Sequence, residues 1–143
     1  MTSQTDRRGN TTTFVYDTEP QKGGGGVRVT EIVDPAQKTT HITYDANGNI
    51  VTITDRNGAL TQFARGDAQK NITSIIDPLT HTFQYDYHDQ GGILGNQVMS
   101  VTDPDNRTTR FTRNKLGSIL TRIDALNHVT SYEYEDDGEL LTS

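Results

Sequence analysis

Two segments, DANGN (Asp45 to Asn49) and DPDN (Asp103 to Asn106), set carboxylates and carboxamides close together, the oxygen-rich donor set that a hard cation such as calcium takes. An EF-hand loop would need alternating acidic ligands ahead of its glycine and a glutamate at its end. Neither is present, so these residues read as turn chemistry. The four histidines raise the question of a metal centre. His81 and His128 each follow an aspartate by four residues, but Arg107 holds that place in the intervening segment, and His41 and His88 have no partner at ligand spacing. Aspartic catalysis needs two carboxylates sharing one proton; the regularly spaced aspartates fall instead where turns are expected, with backbone N–H groups to occupy their oxygens. No cysteine is available as nucleophile or zinc ligand, and no GxSxG, HExxH, P-loop or dinucleotide fingerprint occurs. The sequence therefore predicts no catalytic, cofactor-binding or metal-binding residue. Tyr44, Tyr85 and Tyr132 have the ring faces to stack on sugars, which makes a glycan-binding or adhesion module the alternative function.

The elements that carry these residues repeat. Aspartates that end an apolar or Thr-rich run stand at Asp6, Asp34, Asp55, Asp77, Asp103 and Asp124, separated by 28, 21, 22, 26 and 21 residues. A beat of about 21 residues with two longer members is the signature of a repeat array. Six residues after each aspartate stand Thr12, Thr40, Thr61, Phe83, Thr109 and Thr130. Eight after stand Phe14, Ile42, Phe63, Tyr85, Phe111 and Tyr132, and ten after stand Tyr16, Tyr44, Arg65, Tyr87, Arg113 and Tyr134. These offsets share parity, so in a strand the three side chains point to one face. Their strict phase favours packing over sugar stacking for the rings.

A second strand precedes each following aspartate. Five residues before it come Val29, Ile50, Ile72, Val98 and Ile119; two before it come Ile32, Ile53, Ile75, Val101 and, as the exception, Arg122. DANG joins the two strands of a unit with residues suited to positive φ, and Gly117 and Gly138 take the place of Gly48. Between units, Pro35, Pro78 and Pro104 preset φ for a tight turn. The longer units carry TEPQKGGGG and DQGGILGNQ at the tip of the hairpin, so Gly23 to Gly26 reads as a flexible loop rather than a phosphate cradle. MTSQT at the start and ELLTS at the end fit second strands, so the array over residues 1–143, with units starting near the six aspartates, reads as cut within a repeat at both ends.

The expected fold is all-β: tandem hairpins forming one continuous twisted antiparallel sheet. Thirteen Lys and Arg against nineteen Asp and Glu, a net charge of −6, give no electrostatic footprint for nucleic acid or an anionic membrane. No apolar run approaches the length of a spanning helix, and MTSQTDRRGNTTT lacks the apolar centre of a signal peptide. Twenty-three threonines and ten aromatic residues suit a pleated, half-buried surface.

With Tyr44-Asp45, Gly48-Asn49-Ile50 and Thr54-Asp55 as its clearest unit, the pattern resembles the YD repeat of the RHS/YD-repeat family, which includes bacterial Rhs proteins, toxin-complex C components and teneurins. Tyr16-Asp17 repeats the dipeptide, while Tyr87-His88, Arg65-Gly66, Arg113-Asn114 and Tyr134-Glu135 are degenerate forms. The resemblance covers essentially the whole chain. It implies a spiralling β-strip that wraps into a hollow shell, secreted or at the cell surface. In bacterial members the shell encloses a toxic C-terminal region; in teneurins it is an adhesion scaffold. The self-cleaving aspartyl site of the bacterial shells lies in a motif containing DPxGL. DPLTH and DPDNR lack its Gly-Leu, so that activity is not transferred. The partners implied are further YD repeats of the parent protein and an encapsulated toxin domain.

Two physical expectations accompany this reading. Burial of a tyrosine between stacked hairpins should stabilise by roughly 2 kcal/mol, and Tyr44→Ala should cost on the order of 3 kcal/mol. A sheet ending at an arbitrary repeat has unpaired edges, which predicts an edge-to-edge homo-oligomer.

Overall fold

A computed structural model describes residues 1–17, 27–66, 71–88, 96–135 and 140–142. The tip segments TEPQKGGGG and most of DQGGILGNQ, with Gly23 to Gly26 and Gly138, lie outside the described residues. Every regular element among the described residues is a strand: β1 Thr2–Thr5, β2 Thr11–Tyr16, β3 Val29–Val33, β4 Thr39–Tyr44, β5 Ile50–Thr54, β6 Leu60–Arg65 and β7 Ile72–Ile76. They are followed by β8 Thr82–Tyr87, β9 Val98–Thr102, β10 Thr108–Arg113, β11 Ile119–Ile123, β12 Val129–Ser131, β13 Glu133–Tyr134 and β14 Leu140–Thr142. The hydrogen-bonded order follows the sequence from β1 to β12 in a 12-stranded sheet, and β13 and β14 form a separate two-stranded ladder. The strands fall into two compact units, Met1–Phe63 with Ile76–Thr80, and Ala64–Ile75 with His81–Ser143. No helix among the described residues is long and apolar enough to cross a membrane.

Within the first unit, Phe14 lies opposite Ile32, which lies opposite Thr40; Ile42 lies opposite Ile53, which lies opposite Thr61. In the second, Tyr85 and Val101 are opposite, as are Val101 and Thr109. Directly opposed residues share a face, so in each unit the threonine and aromatic columns meet the aliphatic column on one surface. Burial follows: in β10, Thr109, Phe111 and Arg113 are half-buried while Arg110 and Thr112 are exposed.

A regular ladder would not achieve this. The aliphatic columns five and two residues before each aspartate differ by an odd number and would lie on opposite faces. In five hairpins a β-bulge resolves the conflict. The register slips between Val15 and Tyr16, Thr43 and Tyr44, Asp86 and Tyr87, Thr112 and Arg113, and Glu133 and Tyr134. Opposite each slip the second strand carries one extra residue: Thr30, Val51, Met99, Leu120 or Leu141. The extra residue returns the aliphatic side chain to the common face, where Tyr44 opposes Ile50 and Tyr87 opposes Val98.

The degree of burial differs from expectation. Ser100, at 6% exposure, is the one buried residue among those described, and no apolar side chain there is fully covered. The phase of the rings holds, but a single sheet layer can cover them only by lateral neighbours, so they are half-buried rather than enclosed.

Candidate functional site

The regularly spaced aspartates are bound up in the turns. In seven turns, beginning at Asp6, Asp34, Asp45, Asp55, Asp103, Asn114 and Asp124, one side-chain oxygen accepts hydrogen bonds from the backbone N–H groups two and four residues on. The fourth residue of each turn takes positive φ: Gly9, Gln37, Gly48, Gly58, Asn106, Gly117 and Asn127, with Thr80 in the same place after Asp77. One turn geometry thus serves both between hairpins and, at Asp45 and Asn114, within them. Hydrogen bonding holds several carboxyls below the ordinary range: at Asp6 from the Asn10 side chain first, at Asp55 from the Ala59 N–H, at Asp103 from the Arg107 N–H, and at Asp124 from the His128 N–H.

These bonds leave the remaining oxygens to local partners. Asp34 Oδ2 lies 2.7 Å from Arg56 Nη1, Asp103 Oδ2 2.8 Å from Arg107 Nε, and Asp124 Oδ2 2.9 Å from His128 Nδ1. His41 Nδ1 is 3.6 Å from Glu31 Oε1; at His88 the backbone N–H donates to the Gln97 carbonyl, while the buried ring Nε2 has no hydrogen-bond partner among the described residues. Among the described residues no group of three or more His, Cys, Asp or Glu is placed to hold a metal ion.

The column ten residues after each aspartate has a task that the sequence did not disclose. The ladders between successive hairpins are short: β3 with β4, β5 with β6, β9 with β10 and β11 with β12 each pair three residues and stop before the bulge. Beyond that point the Tyr132 N–H still reaches the Leu120 carbonyl, and side chains supply further bonds. Tyr44 Oη donates to the Val29 carbonyl at 2.7 Å, and Tyr87 Oη donates to the Ile72 carbonyl at 2.9 Å. Arg113 directs Nε and Nη2 at the Val98 carbonyl, both at 3.4 Å. Each donor sits 15 residues after its acceptor. Tyr16, at the start, meets the Thr2 hydroxyl at 3.0 Å instead.

Around Tyr44 this bridge gains a second layer. The Arg28 guanidinium lies over the Tyr44 ring, 5.1 Å from its centroid, and its Nε is 3.6 Å from Asp17 Oδ2. The Asp17 backbone N–H also donates to the Arg28 carbonyl, and the Arg28 backbone N–H donates to Asp17 Oδ1. Arg28 Nη1 packs so close to Gly48 that a Cβ there would sit at 3.0 Å from it, which with φ +90 accounts for the glycine. An open cleft of about 400 Å³ lies here, lined by Arg28, Tyr44, Glu31, His41 and neighbouring residues. Arg28 caps the Tyr44 ring, and Tyr85 and Tyr132 are half-buried. Asp86 and Ser100, opposed just before a bulge, share a 2.6 Å hydrogen bond that satisfies the buried hydroxyl.

The family model described as Teneurin YD-shell matches residues 1–143. Among solved structures, the fold is similar to a chain of the Photorhabdus luminescens Tc holotoxin pore, with a TM-score of 0.67 and 17% identity. The match covers 96% of this chain and 8% of that one, so this chain spans a small part of its structural relative. No curated protein matches the sequence.

Proposed function

We propose that this chain, which belongs to the Teneurin YD-shell family across residues 1–143, is a stretch of shell wall with no catalytic, cofactor or metal site of its own, and that its parent protein encloses a toxin. The observation that carries this reading is the sheet itself. Hairpins are locked to their neighbours by ladders, turn carboxylates and tyrosine bridges, yet no described apolar side chain is fully covered. Such a layer is suited to extend laterally with further repeats of the parent rather than to close on a core. Its turn carboxylates are engaged by backbone N–H groups. Taken alone, the chain would pair at its edges with a second copy. In this reading the parent is secreted or held at the cell surface.

The test is limited proteolysis of the parent polypeptide with its downstream region. A downstream segment that resists protease until the repeat array is denatured supports enclosure. A segment cut at the same rate with and without the intact array refutes it.

A further inference from the structure

Three turns of the second compact unit share one geometry and differ in charge. β9 and β10 are joined through Asp103 and β11 and β12 through Asp124, whereas β10 and β11, the two strands of one hairpin, are joined through Asn114. All three accept two backbone N–H groups on a single side-chain oxygen, at 2.9 to 3.0 Å. The acceptor is thus a carboxylate in the two turns between hairpins and a neutral amide in the turn within the hairpin. Bonds to an ionised acceptor are roughly twice as strong as neutral ones.

The charged groups around them are few. Arg107 bonds Asp103 and, through Nη2 at 2.8 Å, Asp105; His128 bonds Asp124. Arg110 stands opposite Ile123, next to Asp124, and Arg122 stands opposite Phe111. Beside Asn114, Arg113 donates to the Gly117 carbonyl at 2.9 Å, and Lys115 is its chain neighbour. On β8, Asp86 is bonded to Ser100.

We propose that this arrangement is an acid-release device: protonation of the turn carboxylates between hairpins uncouples neighbouring hairpins of the second unit while the turn inside the hairpin β10–β11 stays closed. Both carboxyls lie below their ordinary value of 3.8, held there chiefly by the Arg107 and His128 N–H groups. A carboxyl lowered in the folded state contributes stability above its unfolded value, and that stability is lost as pH falls through the folded one. The window is thus below 3.8. The device is independent of what the shell encloses, so its failure leaves the enclosure reading intact, and the reverse.

Amide exchange by NMR on the 15N-labelled chain, corrected for intrinsic rates, reads it directly. Between pH 6 and pH 3, protection should fall severalfold at Asp105, Arg107, Leu126 and His128 and in the β9–β10 and β11–β12 ladders. Leu116, Ser118 and the β10–β11 ladder should keep theirs. Asn114→Asp should make the hairpin turn acid-labile, and Asp103→Asn should make its own turn acid-resistant while the Asp124 turn responds as before. The Asn114→Asp variant decides alone if Asp103→Asn does not fold. Equal loss at all three turns, no loss at any, or an Asn114→Asp turn that ignores acid overturns the proposal.

Discussion

Removing the hydroxyl of Tyr44 isolates the bridge between hairpins. Its bond to the Val29 carbonyl, 2.7 Å and part-buried, spans the gap where the ladder between β3 and β4 has ended. Tyr44→Phe keeps the ring under Arg28 and leaves that carbonyl to water that reaches it only partly, a loss of about 1 kcal/mol. Tyr44→Ala removes more. The half-buried ring contributes about 1 kcal/mol of transfer energy, half the value for full burial, and the Arg28 stacking contributes about 0.5–1 kcal/mol. The sum, about 2.5–3 kcal/mol, lands near the figure expected from the sequence by a different route, with the polar contacts replacing the missing core. Thermal unfolding followed by circular dichroism should show a midpoint lower by roughly 3–5 °C for Tyr44→Phe and by more than twice that for Tyr44→Ala. Combining Tyr44→Ala with Arg28→Ala should cost less than the sum of the two, because the stacking is counted once. If Tyr44→Phe melts with the wild type, the bridge does not contribute as argued; if the double variant is strictly additive, the stacking does not.

Four further outcomes follow from the same geometry. Thr80 is a β-branched residue at φ 69, where equivalent turns place Asn106 and Asn127; Thr80→Asn should raise stability by about 0.5–1 kcal/mol, and a lower melting temperature would contradict the strain. Gly58→Ala meets open space and should cost about 1 kcal/mol from its backbone alone. Gly48→Ala should cost more in the same melting assay, because the new methyl also displaces Arg28 from the Tyr44 ring; equal costs would show that Arg28 shifts freely. Asp86→Ala strands the hydroxyl of Ser100, the buried residue, and should cost about 1–2 kcal/mol in denaturant unfolding, a loss that Ser100→Ala in the same chain should largely restore.

The repeat, the strand pairs and the turns were legible because they rest on local chemistry: parity for Phe14 and Tyr16, fixed φ for Pro35, positive φ for Gly48. The bulges were written in the sequence too. Val29 and Ile32 are three apart, as are Ile50 and Ile53, and two aliphatic columns at odd spacing cannot share a face unless one residue is added between them. What no local pattern reveals is a partner 15 residues away in the neighbouring hairpin, so the acceptor of Tyr44 and the placement of Arg28 over its ring emerged only from the structure. Burial was overestimated for the same reason: phase fixes which way a ring points, and only tertiary neighbours decide how deeply it is covered.

The bulge and the bridge are two halves of one device. Adding a residue to the second strand brings the aliphatic side chain to the common face but ends the ladder between hairpins early. The carbonyl at that place, Val29 or Val98, then receives a side-chain donor from the next hairpin. A tyrosine hydroxyl meets the requirement, and so does the guanidinium of Arg113, because what the position demands is reach and a donor rather than an aromatic ring. Where the turn of the Asp45 type forms, the second letter needs only a short side chain with an acceptor oxygen, which Asn114 supplies as Asp45 does; Gly66 and His88 stand at that place without one. At Tyr44-Asp45 and Arg113-Asn114 the motif drifts without loss of fold because its two letters stand for hydrogen-bonding roles, each of which more than one side chain can fill.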